Sequence, residues 1–547
     1  MKIFANSNTK PKIWQAKTFF IFTVFICIAL NFLFLQPVLK NGLTGDDWNL
    51  LFNYKTFDPK PLNRISDAWV IMGPYTTIQF YYIGILENLF GLNYQLYQII
   101  NIGFKIFASV TLYLLISKIF KDYLLASISA VVFSMIHSSA GALQYVVKGS
   151  EYLAICFMNL FFLYYYDSIT KNSLRLTFFS SVILFTAFML SPIRLYPLFV
   201  LIILIELYLL IKKIALLSKS LLRLTIFYLP VFFLALISRN IASGYLGETI
   251  SFLKDITNYN WYYLLLPFKA LGYTLFGNDQ LGFLHIPPYM VGLLIFLISA
   301  VFFIIWIKNG LNKNFLLFFG PFFAFLFLIA TWMILGRSFN VIASLHWYLI
   351  IPSLGISVFI ASIITLLLKI GVHTKKLGYL IVAFLIFIAT ALISYYEIDK
   401  HYNYLLSIGT RSEDQIYMQN QILNSINNQN QLNLIVFFDL SKDTKNNQFY
   451  EVSLNTGHFA HWIDYFKSPK FLGCITVITS KEKLIEFYRG GDNEYFESEG
   501  LCAQTQYNVG TIKIDYDIKD FRAFLLNNKK VFNITDQVLK DLRLKKL

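Results

Sequence analysis

Charge is scarce in this sequence. Only 14% of its residues are Asp, Glu, Lys or Arg, while 56% are hydrophobic. Soluble domains carry about 25% charged residues, so this balance excludes one. Cysteine is scarce too, with four in 547 residues. Cys27 and Cys156 fall in apolar runs and read as packing residues. Cys474 and Cys502 fall near the C-terminal end, where a disulfide requires a location outside the cytoplasm. No zinc-type spacing occurs. There is no internal repeat, which argues against a transporter built from repeated halves. No small-residue cleavage site follows the first apolar run, so that run reads as a retained span and not a signal peptide.

Long apolar stretches dominate the rest. A helix needs about 20 apolar residues to cross about 30 Å of hydrocarbon, and the strands of a β-barrel would be shorter and alternating. About eleven spans are predicted, near 18–38, 98–117, 123–139, 150–166, 175–190, 194–211, 224–238, 289–307, 314–335, 346–368 and 377–395. The stretch 76–90, TTIQFYYIGILENLF, contains Gln79 and Glu87 and is short, so it reads as an interfacial helix. The expected architecture is an all-α polytopic membrane protein with a small C-terminal α/β domain. The boundaries are 1–396 for the membrane domain, with external loops 39–97 and 239–288, and 397–547 for the tail. In the tail, 411–426 reads as a helix, and 431–440, 473–480 and 511–518 read as strands.

Residues 1–396 hold 28 basic and 12 acidic residues, against 18 and 19 in the tail. The basic excess fits cytoplasmic loops and contact with membrane lipids. It is scattered among spans and forms no stripe, so no nucleic-acid partner is expected. The positive-inside rule places the N-terminus in the cytoplasm of a multi-pass protein of the plasma (inner) membrane. Asp46, Asp47, the loop 239–288 and the tail then lie outside.

Two adjacent carboxylates, Asp46 and Asp47, follow the first span in NGLTGDDW. The plain reading is a helix cap. The functional reading is a general base that takes the proton of an attacking hydroxyl. A departing phosphate also needs fixed cations. Lys148, Arg194 in LSPIRLYP and Arg337 in LGRSFN lie on the predicted outer side, although a snorkelling anchor explains such an Arg equally well. Lys105 lies inside the second span, where an ammonium must face protein, water or a counter-ion. Glu151 starts the fourth span, where its charge suits the helix dipole. Glu206 lies within the sixth, with no nameable partner. His137 and His346 stand at span ends without a second metal-spaced ligand, so no metal site is predicted. A divalent cation on Asp46 and Asp47 is possible, but two carboxylates do not define a site. Asn533-Ile534-Thr535 matches the glycosylation pattern, which is common by chance.

Several of these stretches resemble polytopic GT-C glycosyltransferases, in particular bacterial protein O-mannosyltransferase-like proteins. FGLNYQLYQIINIGFK (90–105) is similar to a conserved family block, with Tyr97 and Asn101 matching and Lys105 in place of a His. In IHSSAGALQYVVKGSEYLA (136–154), His137, Tyr145, Gly149 and Glu151 match, and Ser138 replaces a Pro. In HWYLIIPSLGISVF (346–359), Tyr348, Pro352 and Ser353 match, and Trp347 replaces an Arg. GDDW falls where the family carries its acidic pair. Residue 194 departs from the family, which has an acidic motif near 191. The resemblance covers roughly residues 18–370 and implies a GT-C fold, a polyprenyl-phosphate-linked sugar donor and inverting transfer outside the cytoplasm. It implies Asp46 or Asp47 as base. On that mechanism Arg194, Arg337, Lys148 or Lys105 holds the donor phosphate, and Asn101, His137, Tyr145, Glu151, His346 and Tyr348 are the candidates for contact with substrate. The acceptor is a glycan, lipid or protein. The competing readings are a lipid or glycan flippase using Lys105 and Glu206, and an inactive membrane scaffold acting through its tail.

Overall fold

The computed structural model of the chain describes residues 13–43, 74–91, 93–195, 197–211, 213–237, 265–283, 285–308, 320–334, 345–406, 433–439, 474–478, 480–489, 495–499, 501–502, 513–517, 521–527 and 530–544, with single residues between 47 and 54 and between 413 and 424. Asp46, Arg337 and most of the predicted helix 411–426 lie outside the described residues.

Among the described residues, the membrane part is mainly helical. Its helices are α1 (Ile13–Phe34), α2 (Pro74–Phe90), α3 (Tyr94–Phe120), α4 (Tyr123–Met135), α5 (Ser150–Thr170), α6 (Leu174–Leu190), α7 (Pro197–Ile211), α8 (Leu217–Ile237), α9 (Leu266–Phe283), α10 (Pro288–Lys308), α11 (Gly320–Ile334), α12 (Pro352–Thr374) and α13 (Leu377–Leu405). Every predicted span falls on one of them. Among the described residues, however, only five helices are long and apolar enough to cross a bilayer, or six if a bent pair counts as one span. Leu174–Leu190, Pro197–Ile211, Pro288–Val301 and Gly320–Ala330 are shorter apolar helices. Five or six of the eleven expected spans thus meet that length and composition among the described residues. The chain is an integral membrane protein, with Phe22, Phe25, Leu385 and Leu392 among the apolar side chains exposed on α1 and α13.

Local chemistry explains several helix ends. Asp122 caps α4 by accepting from the Leu125 amide at 3.2 Å, and the same carboxylate pairs with Lys369 near the end of α12. Ser173 caps α6 in the same way, through the Leu176 amide. These are the short polar residues that satisfy orphan amides at helix starts.

The bent pair positions the site. α4 stops at Met135, Ile136 is extended, and a 3-10 helix (His137–Gln144) continues at 44°. The Ser139 hydroxyl donates to the Phe133 carbonyl at 2.8 Å and the Ile136 carbonyl at 2.7 Å, which satisfies acceptors freed by the break. Gly141 lets the segment 345–350 come close, since a Cβ there would lie 2.3 Å from the Leu345 carbonyl oxygen. A second short 3-10 turn, Val146–Gly149, then leads into α5.

α13 runs unbroken through Glu397 to Leu405, so the predicted boundary at 396/397 falls inside a helix. Glu397 and Tyr402 are buried, and the Tyr402 hydroxyl donates to the Ala140 carbonyl at 2.7 Å. These residues belong with the membrane part.

The tail is an α/β unit. Its elements are β1 (Asn433–Asp439), β2 (Cys474–Ile478), α14 (Lys481–Arg489), β3 (Tyr495–Glu499), β4 (Leu501–Cys502), β5 (Lys513–Asp517), β6 (Phe521–Asn527), β7 (Lys530–Asn533) and α15 (Thr535–Leu544). The main sheet has the order β4-β2-β1-β6-β7, with β1 parallel to both β2 and β6. β3 and β5 form a separate antiparallel pair. The apolar run of β1 is buried from Ile435 to Phe438, as a central parallel strand requires. Leu484 of α14 and Val538 and Leu542 of α15 cover one face. The Asn533 side chain accepts from the Thr535 amide and hydroxyl, so the glycosylation-like motif forms the turn that starts α15. A cleft lined by Asp439, Lys481 and Asp541 holds only about 90 Å³, well below the ~300 Å³ of an ordinary ligand site.

Strand register makes one prediction. Cys474 of β2 and Cys502 of β4 are direct cross-strand partners in an antiparallel pair. Directly opposed residues have Cβ atoms about 4.5–5.5 Å apart, close to the reach of a disulfide. If the tail is outside the cytoplasm, intact mass should show these two thiols refractory to alkylation until reduced. A Cys474→Ser variant should lose about 3 kcal/mol of tail stability. Two freely alkylated thiols in protein taken directly from membranes would place the tail in a reducing compartment.

Candidate functional site

The site grows from the segment Tyr145–Glu151. Its 3-10 turn exposes backbone amides at its start, and Asp47 occupies them. The Val146 amide donates to Asp47 Oδ2 at 3.0 Å, and the Val147 amide donates to Oδ1 at 2.9 Å. Asp47 is fully buried. Such a carboxylate satisfies orphan amides and is stabilised by the positive end of the turn. The contact ties the loop after α1 to a turn about one hundred residues further on.

Two more side chains hold the turn. The Asn101 amide of α3 donates to the Val146 carbonyl at 3.0 Å, while its oxygen accepts from the Tyr82 hydroxyl of α2. Lys148 reaches Gln79 of α2, with Nζ 3.5 Å from Oε1. Gly149 is required by this packing, because a Cβ there would lie 1.8 Å from Asn101 Oδ1. A Gly149→Ala variant should therefore cost about 1–3 kcal/mol and loosen Asn101. Thermal unfolding of the purified variant checks this, and an unchanged melting temperature would contradict it.

Glu151, at the start of α5, forms an ion pair with Arg194. Glu151 is fully buried and the Arg194 side chain is 6% exposed. The guanidinium also lies over the Tyr348 ring, 5.0 Å from its centroid. Arg194 reaches this position because the four-residue helix Pro192–Leu195 turns the chain between α6 and α7. Tyr348 sits in the short 3-10 turn Trp347–Leu349, which the His346 side chain caps.

Aromatic rings close the arrangement. The His346 ring stacks on Trp347 at 4.5 Å and on Tyr348 at 5.4 Å. Trp347 meets Tyr145 at 5.6 Å with ring planes at 84°. Contacts thus run from Asp47 to Val146, Tyr145, Trp347, Tyr348, Arg194 and Glu151, and back to the turn. Of the residues singled out in the sequence, Asp47, Asn101, Tyr145, Lys148, Glu151, Arg194, His346 and Tyr348 come together here. A buried guanidinium beside half-buried aromatics can hold an anion next to a ring, with the buried Glu151 carboxylate fixing where the guanidinium sits.

Others are engaged elsewhere. Lys105 is fully buried, and its ammonium donates to Asn31 Oδ1 at 3.0 Å and to the Ser134 carbonyl. It joins α1, α3 and α4. His137 has both ring nitrogens engaged, one 2.8 Å from the Tyr273 carbonyl and one 3.4 Å from the Ser394 hydroxyl. Glu206 has a partner that the sequence does not name. Arg223 binds it through two nitrogens, at 2.6 and 2.7 Å, and the Tyr165 hydroxyl donates at 2.6 Å.

Sequence reasoning missed Gln79, Tyr82 and His401. Gln79 was visible only as a polar interruption of an apolar stretch. His401, which reaches Gln144 at 3.3 Å, lies in the part of the chain read as the tail. Among the described residues, no three His, Cys, Asp or Glu side chains converge as a metal-ligand set. Asp47 also has both oxygens on backbone amides, a poor fit for a divalent cation there.

No family model matches the chain. No curated protein matches it either. Among solved structures it is similar to the archaeal oligosaccharyltransferase AglB from Archaeoglobus fulgidus, in complex with an inhibitory peptide and a dolichol-phosphate. The TM-score is 0.39 and the identity 12%, over 92% of this chain and 76% of that one. At that level of likeness, the chemistry of this chain rests on its own residues.

Proposed function

We propose that this protein is a membrane glycosyltransferase. It moves a sugar from a polyprenyl-phosphate donor to a hydroxyl of an external glycan, lipid or protein, with inversion. The observation that carries the reading is the single ring of contacts joining the acidic-pair loop, through Asp47, to the buried Arg194.

Two adjacent carboxylates divide the work. Both oxygens of Asp47 accept backbone amides, so Asp47 fastens the loop, and its neighbour Asp46 takes the proton. The acceptor oxygen attacks the anomeric carbon as its proton passes to Asp46. The bond from that carbon to the phosphate oxygen breaks, and the phosphate leaves with the electron pair. Fixed cations stabilise this departing charge. Arg194 has five N–H donors in a planar fork, so Glu151 does not exhaust them. Lys148 and Arg337 supply further positive charge. Asn101 holds the turn in place, and His346 and Tyr348 fix the guanidinium. The N-terminus is cytoplasmic, and the site and the tail are outside.

The flippase reading loses its two main residues. Lys105 and Glu206 are each tied into hydrogen-bonded clusters between helices.

The test is transfer of radiolabelled sugar from a panel of polyprenyl-phosphate sugars, in membranes carrying wild type, Asp46→Asn or Asp47→Asn. Label should reach a product with wild type and fall to background with Asp46→Asn. No transfer from any donor, with no difference between variants, would sink the proposal.

A further inference from the structure

The reaction needs its base and its phosphate-binding cation on opposite sides of one anomeric carbon. The sugar must therefore lie against whatever stands between them. In this ring of contacts, Tyr145 and Trp347 stand between the turn that holds Asp47 and the Tyr348–Arg194 pair. Their planes meet at 84°, which makes a right-angled corner. Both are half-buried. Their neighbours hold them still: His346 stacks on Trp347, and Tyr145 begins the turn pinned by Asp47 and Asn101.

We propose that Trp347 and Tyr145 form the subsite for the donor sugar, with Trp347 stacking on the apolar face of a pyranose. This rests on the glycosyltransferase reading and names the part of the donor that the corner recognises. Aromatic faces carry negative charge density, and the axial C–H groups of a pyranose ring present a weakly positive surface. A Trp cannot grip phosphate across a planar fork as an Arg does, so residue 347 offers a ring face and not a charge. Arg194 is left to hold the phosphate. The subsite favours sugars with several axial hydrogens on one face and few charged substituents.

Binding separates this from a general role in lipid contact. The full chain is reconstituted in nanodiscs. Affinity is measured for bare polyprenyl phosphate and for a polyprenyl-phosphate hexose, with wild type, Trp347→Phe and Trp347→Ala. Trp347→Ala should weaken the sugar-bearing lipid about tenfold, or about 1.4 kcal/mol, and change the bare lipid by less than twofold. Trp347→Phe keeps a ring and should lie between wild type and Ala. Equal weakening of both lipids would make Trp347 a lipid or phosphate contact and overturn the inference. So would unchanged binding of the sugar-bearing lipid. Failure of wild type to bind either lipid would instead remove the glycosyltransferase reading, and the inference with it. Wild type that binds bare phosphate alone would overturn the sugar subsite while leaving the phosphate site.

Discussion

Membranes carrying Arg194→Gln should transfer no sugar above background, and the purified variant should unfold at a lower temperature than wild type. The two effects have separate causes. Transfer is lost because the guanidinium is the buried cation of the site, and removing one preorganised group from a developing charge costs about 10²–10³ in rate. Stability is lost because Glu151 is left fully buried without its partner. Breaking one side of a buried pair costs about 3–5 kcal/mol, chiefly through the stranded charge. The double variant Arg194→Gln/Glu151→Gln removes that stranded charge. It should recover most of the melting temperature and none of the activity. Thermal unfolding and radiolabel transfer on the three proteins check both halves. Active Arg194→Gln protein would remove Arg194 from the phosphate, and an unstable double variant would mean that the pair matters through packing.

Asp47→Asn should lose both stability and activity, whereas Asp46→Asn should lose activity alone. In the Asn variant, one side-chain oxygen is replaced by an amino group, which faces a backbone amide as donor against donor. One of the Val146 and Val147 amides is then unsatisfied. A buried donor without a partner costs about 1–3 kcal/mol. The loop also loses its tether to the turn, and a misplacement of about 1 Å at the reacting groups costs about 10²-fold in rate. For Asp46→Asn the loss is that of a general base, about 10²–10⁴-fold, with the melting temperature unchanged. Unfolding curves of the two variants therefore assign the roles. If Asp47→Asn keeps the wild-type melting temperature but is inactive, Asp47 itself is the base.

Much of the helical part was legible in the sequence because membrane helices advertise themselves locally. A run of apolar residues sets a helix whatever it packs against, since the backbone must satisfy its hydrogen bonds within the segment. Thus all the predicted spans fall on helices. Their lengths were less legible: among the described residues, Pro197–Ile211 and Gly320–Ala330 are shorter apolar helices. In the tail, β1 and β2 stood out as apolar runs. β6 did not, because FRAFLLN carries an Arg and mixes both faces. β5 was legible from the alternation of 511–518, whereas the acidic β3, YFESE, was not picked out.

The acid–base pairs divide in the same way. That Glu151 and Arg194 carry chemistry was readable from their span-end positions and the motif around Glu151. That they touch was not, because they lie on different helices and no local periodicity relates them. Glu206 shows the limit most plainly. As an intramembrane carboxylate it needed a cation by elementary electrostatics, but Arg223 stands just before the predicted span 224–238, where nothing local relates it to Glu206. The structure places it within α8, facing Glu206. Lys105 likewise demanded a partner, which turned out to be Asn31 and a carbonyl at the bend of α4.

By itself, the sequence determined that this is a helical membrane protein with a basic membrane part, an acidic pair after the first span and an α/β tail. Those properties follow from composition and from periodicities of a few residues, which need no tertiary contact. Only the tertiary structure decided that Asp47 would spend its oxygens on a distant turn, that Trp347 and Tyr145 would meet at a corner, and that α13 would carry residues of the presumed tail into the core. Those outcomes depend on close packing between segments hundreds of residues apart. The Gly141 and Gly149 approaches show how little space decides them: a single Cβ would push the backbone of 345 or the side chain of Asn101 out of place.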